Sequence, residues 1–214
     1  METEMIDVRC PECDEVIQVP IHEFVDVSED PEAKEKIIQG EYFMNECPGC
    51  GDMVMVEYPL LYVDPAHKLN VRMDPEHEED ALDVLNSLEV PNPEDVADQS
   101  FRLVSTGLEL MEKILIAERG LDDRIVELYK FIIWDDVKEM WPELEPGDLV
   151  YSFDETGDYL LVWTSQNENE EMLTVEMDPE LYQELQMQAM GVVDIAPGEY
   201  AEVNQEWIGE RFEK

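Results

Sequence analysis

The chain has 214 residues, 44% of them hydrophobic, which is enough for a packed core, and its 13 Lys and Arg stand against 55 Asp and Glu for a net charge of −42. Such a composition lacks the basic face with which proteins displace counterions from nucleic acid, and the basic clusters that draw proteins to anionic membranes. The acidity suits solubility or adaptation to salt, or more narrowly imitation of DNA by rows of carboxylates, and it points to cations and to proteins with basic patches as partners.

The amino-terminal METEMIDVRC carries acids where a signal peptide has Lys or Arg, and no apolar run approaches the ~18 residues of a membrane span. A cytoplasmic protein is expected, in which four cysteines hold metal instead of forming disulfides. Two strands are predicted within residues 5–25, because Ile6, Val8 and Cys10 alternate on one arm and Ile17, Val19 and Ile21 on the other, with CPEC at the hairpin tip. A short helix follows, capped by Asp30, started by Pro31 and stopped by Gly40. EYFMNE leads into CPGC and MVMVEY leads out, which makes a second hairpin.

Residues 74–98 contain ten Asp or Glu, no Lys or Arg, and Pro75, Pro91 and Pro93, so a boundary is placed there, with a short helix through Leu82, Leu85 and Leu88. SFRLV reads as a strand. Thr106 and Glu109 form a capping box for a helix ending near Gly120, whose buried face is expected to hold Leu108, Met111, Ile114 and Leu115. Asp122 caps a longer helix with apolar positions Ile125, Leu128, Tyr129, Ile132, Ile133, Val137, Met140 and Trp141, ended by Pro142. A hairpin turning at Thr156 and Gly157, a strand LTVEM, a helix opened by Asp178 and Pro179, and a last helix through Trp207 and Phe212 complete the chain.

The chemistry lies in Cys10-Pro11-Glu12-Cys13 and Cys47-Pro48-Gly49-Cys50, separated by 33 residues. Each C-x-x-C turn offers two corners of a sulfur tetrahedron, with Zn–S bonds of about 2.3 Å. The position after each pair favours positive φ, which Gly51 permits and Asp14 tolerates. The spacer exceeds the usual ~15–20 residues, and the inserted helix accounts for the excess. A single iron held as in rubredoxin, or a redox dithiol, uses the same residues. Zinc is preferred over iron because the first knuckle lacks the Gly and aromatic that rubredoxins place after it. Four sulfurs leave no position open for water, so a structural role is expected, with one zinc per chain.

CPEC and CPGC, the helix end IIQGEYF, YPLLYVD and ELMEKILIAERGLDDRIVELYK at 109–130 together resemble the CpXC domain family, over residues 1 to about 140. Asp14 stands where many such knuckles have Gly. The resemblance implies a zinc ribbon with Cys10, Cys13, Cys47 and Cys50 as metal ligands, and it supplies no activity.

The predicted fold is α+β. A four-cysteine zinc ribbon of two β-hairpins with an inserted short helix (1–73) is joined by an acidic connecting segment (74–98) to an α+β unit with two main helices and an antiparallel sheet (99–214). His22, His67 and His77 show no ligand spacing and read as surface or strand residues, and DPAH at 64–67 as a turn. No phosphate-binding loop or nucleophile elbow is present. The leading functional expectation is a non-catalytic zinc-ribbon protein acting through protein interaction. The alternative is an enzyme with its site between the long helix and the hairpin near Trp163, which a deep pocket with convergent polar groups there would favour over a flat apolar patch.

Overall fold

Alternating burial pairs the first two strands, β1 (Glu4–Arg9) and β2 (Val16–Ile21), antiparallel around CPEC, with Ile6 opposite Val19 and Val8 opposite Ile17. The computed structural model describes residues 4–88, 93–162, 173–189 and 191–212. After β3 (Phe24–Asp26) comes α1 (Pro31–Ile38), whose first turn is closed by Asp30 accepting the Ala33 N–H. β4 (Met44–Glu46) and β5 (Met53–Met55) form the second predicted hairpin, around CPGC. A small core of Ile17, Val19, Val54 and Val56 with the sulfurs of Cys10 and Cys47 joins the two ribbons.

β6 (Leu60–Asp64) and β7 (Leu69–Met73) are antiparallel about the turn at 65–68. β7 lies parallel to β8 (Ser100–Val104), and two parallel strands need a crossover between them. The acidic segment 74–98 is that crossover, and it carries α2 (Ala81–Ser87). With β12 (Tyr200–Ala201) these strands make a mixed sheet in the order β12-β8-β7-β6-β3, which takes strands from both sides of the acidic segment. At its β12 edge the Tyr200 N–H donates to Asn86 Oδ1 (2.8 Å), and Asn86 Nδ2 donates to the Tyr200 carbonyl (3.0 Å).

The two main helices are α3 (Gly107–Glu118) and α4 (Asp123–Met140). The capping box of α3 is formed: the Glu109 N–H donates to Thr106 Oγ1 (3.2 Å) and the Thr106 N–H to Glu109 Oε2 (3.1 Å). Its buried face differs from the single stripe expected. Leu110, Glu112, Lys113, Ile114 and Ile116 are buried, while Leu108, Met111 and Leu115 are only half-buried. The cause is position: α3 is wedged between two cores, giving Leu110 and Ile114 to one and Ile116 to the other, so it is covered on more than one side. On α4, Ile125, Leu128, Tyr129 and Val137 are buried as expected, whereas Ile132 and Met140 face outward.

The first core packs α1 and α3 on the mixed sheet. The second gathers α4, α5 (Pro179–Ala189), α6 (Gln205–Phe212) and an antiparallel sheet of β9 (Leu149–Phe153), β10 (Asp158–Val162) and β11 (Leu173–Glu176). No helix among the described residues is long and apolar enough to cross a membrane.

Candidate metal centre

Each hairpin delivers its cysteines through the same local turn. The Asp14 N–H donates to the Cys10 carbonyl (3.0 Å) and the Gly51 N–H to the Cys47 carbonyl (2.9 Å), which curls the chain back after the second sulfur. The following residues take positive φ, 60° at Asp14 and 83° at Gly51, as the spacing predicted. Cys10 and Cys47 are buried, and Cys13 and Cys50 are exposed.

The two turns face each other closely. Cys10 Sγ lies 3.7 Å from Cys50 Sγ and Cys13 Sγ lies 3.5 Å from Cys47 Sγ, and all four sulfurs sit within 4.8 Å of one another. A tetrahedron with metal–sulfur bonds of about 2.3 Å has edges of about 3.8 Å, so the donor set fits one zinc ion. Gly49 allows this approach: a Cβ there would meet Cys13 Sγ at 3.3 Å and Glu15 Cβ at 3.2 Å on the opposite knuckle. The backbone N–H groups of Cys50 and then Gly49 hold the Cys47 thiol down to about 7, while the Cys13 and Cys50 thiols of the same cluster are pushed up, so Cys47 is the readiest thiolate of the three.

His67, read from the sequence as a surface or strand residue, belongs to an ion-paired cluster. The turn at 64–67 forms as read, with Asp64 Oδ1 accepting the N–H groups of Ala66 (3.1 Å) and His67 (3.2 Å). Its side chains, however, converge with other elements: His67 Nδ1 lies 2.9 Å from Asp64 Oδ2, and Glu118 of α3 approaches the same group. Lys34 of α1 donates to Asp64 Oδ2 (2.8 Å) and contacts Glu118, so an ammonium already neutralises these carboxylates. Burial opposes the charge on Asp64, and the hydrogen bonds from Lys34 and His67 outweigh it, holding its carboxyl below the ordinary range. The cluster is an ion-paired pin between α1, β6 and α3.

A second group that sequence reading missed lies under α3 and α4. Arg102 grips Asp123 with two hydrogen bonds, Lys113 Nζ donates to the Val203 carbonyl (2.7 Å), and Lys130 Nζ bridges Glu112 (2.6 Å) and Glu127 (2.8 Å). Trp163, near which the alternative reading placed an active site, lies outside the described residues. Among the described residues, a cavity with convergent polar groups opens between α3, α4 and residues 202–206.

Residues 8–130, more than half of the chain, match the family model described as CpXC protein, and the chain belongs to that family. No curated protein and no solved structure matches it.

Proposed function

We propose that this CpXC protein is a zinc-ribbon protein in which one structural zinc ion on Cys10, Cys13, Cys47 and Cys50 fastens the two hairpins, and which acts by binding other proteins. The observation that supports this most is the gathering of four sulfurs from separate hairpins within 4.8 Å. A tetrathiolate site has no position left for substrate or water, and bound zinc supplies cross-linking. Metal binding free energy then becomes folding free energy for a ribbon whose own core is small. Thiols placed for metal suit a reducing compartment, in keeping with a cytoplasmic location.

The partner in this reading is a protein with basic patches, drawn by the net charge of −42. The ribbon also offers Met53 and Met55 on the outer face of β5, 56% and 64% exposed, and methionine adapts to varied partner surfaces. Elemental analysis of freshly purified protein tests the metal: about one zinc per chain is expected, and iron in its place, or four free thiols without metal, overturns the reading. Affinity capture at native salt tests the partner: proteins with basic patches should be retained by wild type and lost from a Met53→Ser, Met55→Ser variant.

A further inference from the structure

The cavity between α3, α4 and the start of α6 is lined by groups that neither the zinc site nor the ribbon uses. Its volume is about 240 Å³. Five glutamates line it, Glu109, Glu112, Glu127, Glu202 and Glu206, against two lysines, Lys113 and Lys130. The aliphatic side chains of Leu103, Val104, Leu149 and Val203 supply an apolar part of its wall, beside the amides of Asn204 and Gln205.

The floor carries an acceptor with capacity left. Glu112 is only 6% exposed, and its Oε1 takes both the Lys130 ammonium (2.6 Å) and the Tyr151 N–H. Its Oε2 accepts no hydrogen bond from the described residues, yet no buried side-chain oxygen there lacks a partner, so Oε2 is open to the cavity that Glu112 lines. Glu127 is used on both oxygens, by Lys130 (2.8 Å) and by Gln205 Nε2 (2.8 Å). At the mouth stand Glu109 and Glu202, both half-buried, and the exposed Glu206. Burial raises the Glu202 carboxyl, His77 works against this, and the charges of Glu109 and Glu206 add to it.

We propose that this cavity binds a small aliphatic amine in its ammonium form, the cationic head meeting Glu112 Oε2 and the mouth glutamates and the methylene chain lying on the apolar wall. An ammonium donates up to three hydrogen bonds, which matches scattered single acceptors. A divalent metal ion fits less well: it needs several oxygens at about 2.0–2.6 Å, and here Lys130 already occupies one oxygen each of Glu112 and Glu127. An anionic ligand would meet the surplus of glutamates.

The test is calorimetric titration of the full zinc-loaded chain with n-butylamine, 1,4-butanediol and magnesium chloride, at 0.5 M NaCl to suppress diffuse binding to the acidic surface. One saturable site for butylamine is expected, with no comparable heat from the diol. The paired mouth variant Glu202→Gln, Glu206→Gln should weaken it at least about tenfold, while the pair Glu180→Gln, Glu184→Gln on α5 leaves it unchanged. Glu112→Gln leaves Lys130 short of a counter-charge and can fail to fold, so the mouth pair carries the decision. Equal binding of the diol, equal loss in the α5 pair, competitive displacement of butylamine by magnesium, or absence of a saturable site each overturns the proposal.

Discussion

Arg102 on β8 holds Asp123 at the start of α4 with two hydrogen bonds, Nε to Oδ2 at 2.7 Å and Nη2 to Oδ1 at 2.8 Å. The pair links the mixed sheet of one core to the principal helix of the other, and Lys113 adds a third charge 3.3 Å from Asp123 Oδ2. Burial works against the charge on Asp123, but the Arg102 and Lys113 charges overcome it and hold the carboxyl well below the usual range. Arg102→Met should therefore destabilise the protein by about 1.5–3 kcal/mol, because it removes two charge-assisted hydrogen bonds and leaves a largely buried carboxylate with Lys113 alone. The double change Arg102→Met, Asp123→Leu should cost much less. Urea denaturation of the three proteins measures this, and equal losses in the single and double variants would refute the coupling.

The same pair sets an acid limit. A carboxyl whose folded value is depressed contributes stability above its unfolded value, near 3.9, and loses it as pH falls towards the folded value. Asp64, held down against burial by Lys34 and His67, adds to the same slope. Urea midpoints should thus decline below about pH 4, and less steeply in the Arg102→Met, Asp123→Leu protein. An identical slope would show that these carboxyls are ordinary.

Chelation should act locally. The sulfurs belong to the small core of β1, β2, β4 and β5, whereas Leu60, Tyr62 and Val71 of β6 and β7 pack in the core of the mixed sheet. Removing metal should raise amide exchange in residues 4–21 and 44–56 while leaving β6, β7 and α4 protected, a narrower region than the whole of residues 1–73 that a self-contained ribbon would lose. Exchange that rises uniformly across the chain, or nowhere, would contradict this.

The knuckles predict two graded substitutions. Gly51→Ala places a side chain at φ 83° and should cost about 1 kcal/mol and some zinc affinity. Gly49→Val should weaken zinc more, since its branches enter the space between Glu15 and Cys13 Sγ. Competition with a chromophoric zinc chelator ranks them, and a Gly49→Val affinity equal to wild type would show that the knuckles can separate without loss.

Salt should stabilise the fold. With 55 acids against 13 bases, repulsion outweighs exposed pairs such as Arg119 with Asp158. Raising NaCl from 0.1 to 1 M shortens the screening length from about 10 to 3 Å, so the melting temperature should rise. A fall would mean that ion pairing outweighs repulsion.

Local chemistry was legible in the sequence, and long-range pairing was not. The cysteine spacing, the Asp30 and Asp122 caps and the Thr106–Glu109 box each act within a few residues, and each is formed. The mixed sheet joins β3 near residue 25 to β12 near residue 200, and no periodicity announces such partners. Glu112, Lys113, Glu127 and Lys130 are absent from the buried faces expected of the two helices, because charge normally seeks water. They are buried here only because they neutralise one another across α3 and α4, a relation visible once both helices are placed. His67 reads as a surface or strand residue for the same reason, its neighbours Lys34 and Glu118 being distant in the chain.

The Asn86 clamp on Tyr200 has a consequence for molecules in company. A sheet that ends in bare backbone invites a neighbouring chain to continue it, but at this border one amide side chain has already taken the two bonds a newcomer would need. Asn86 comes from the most acidic stretch of the chain, so the residue that bars the door is surrounded by charges that keep visitors of its own kind at a distance.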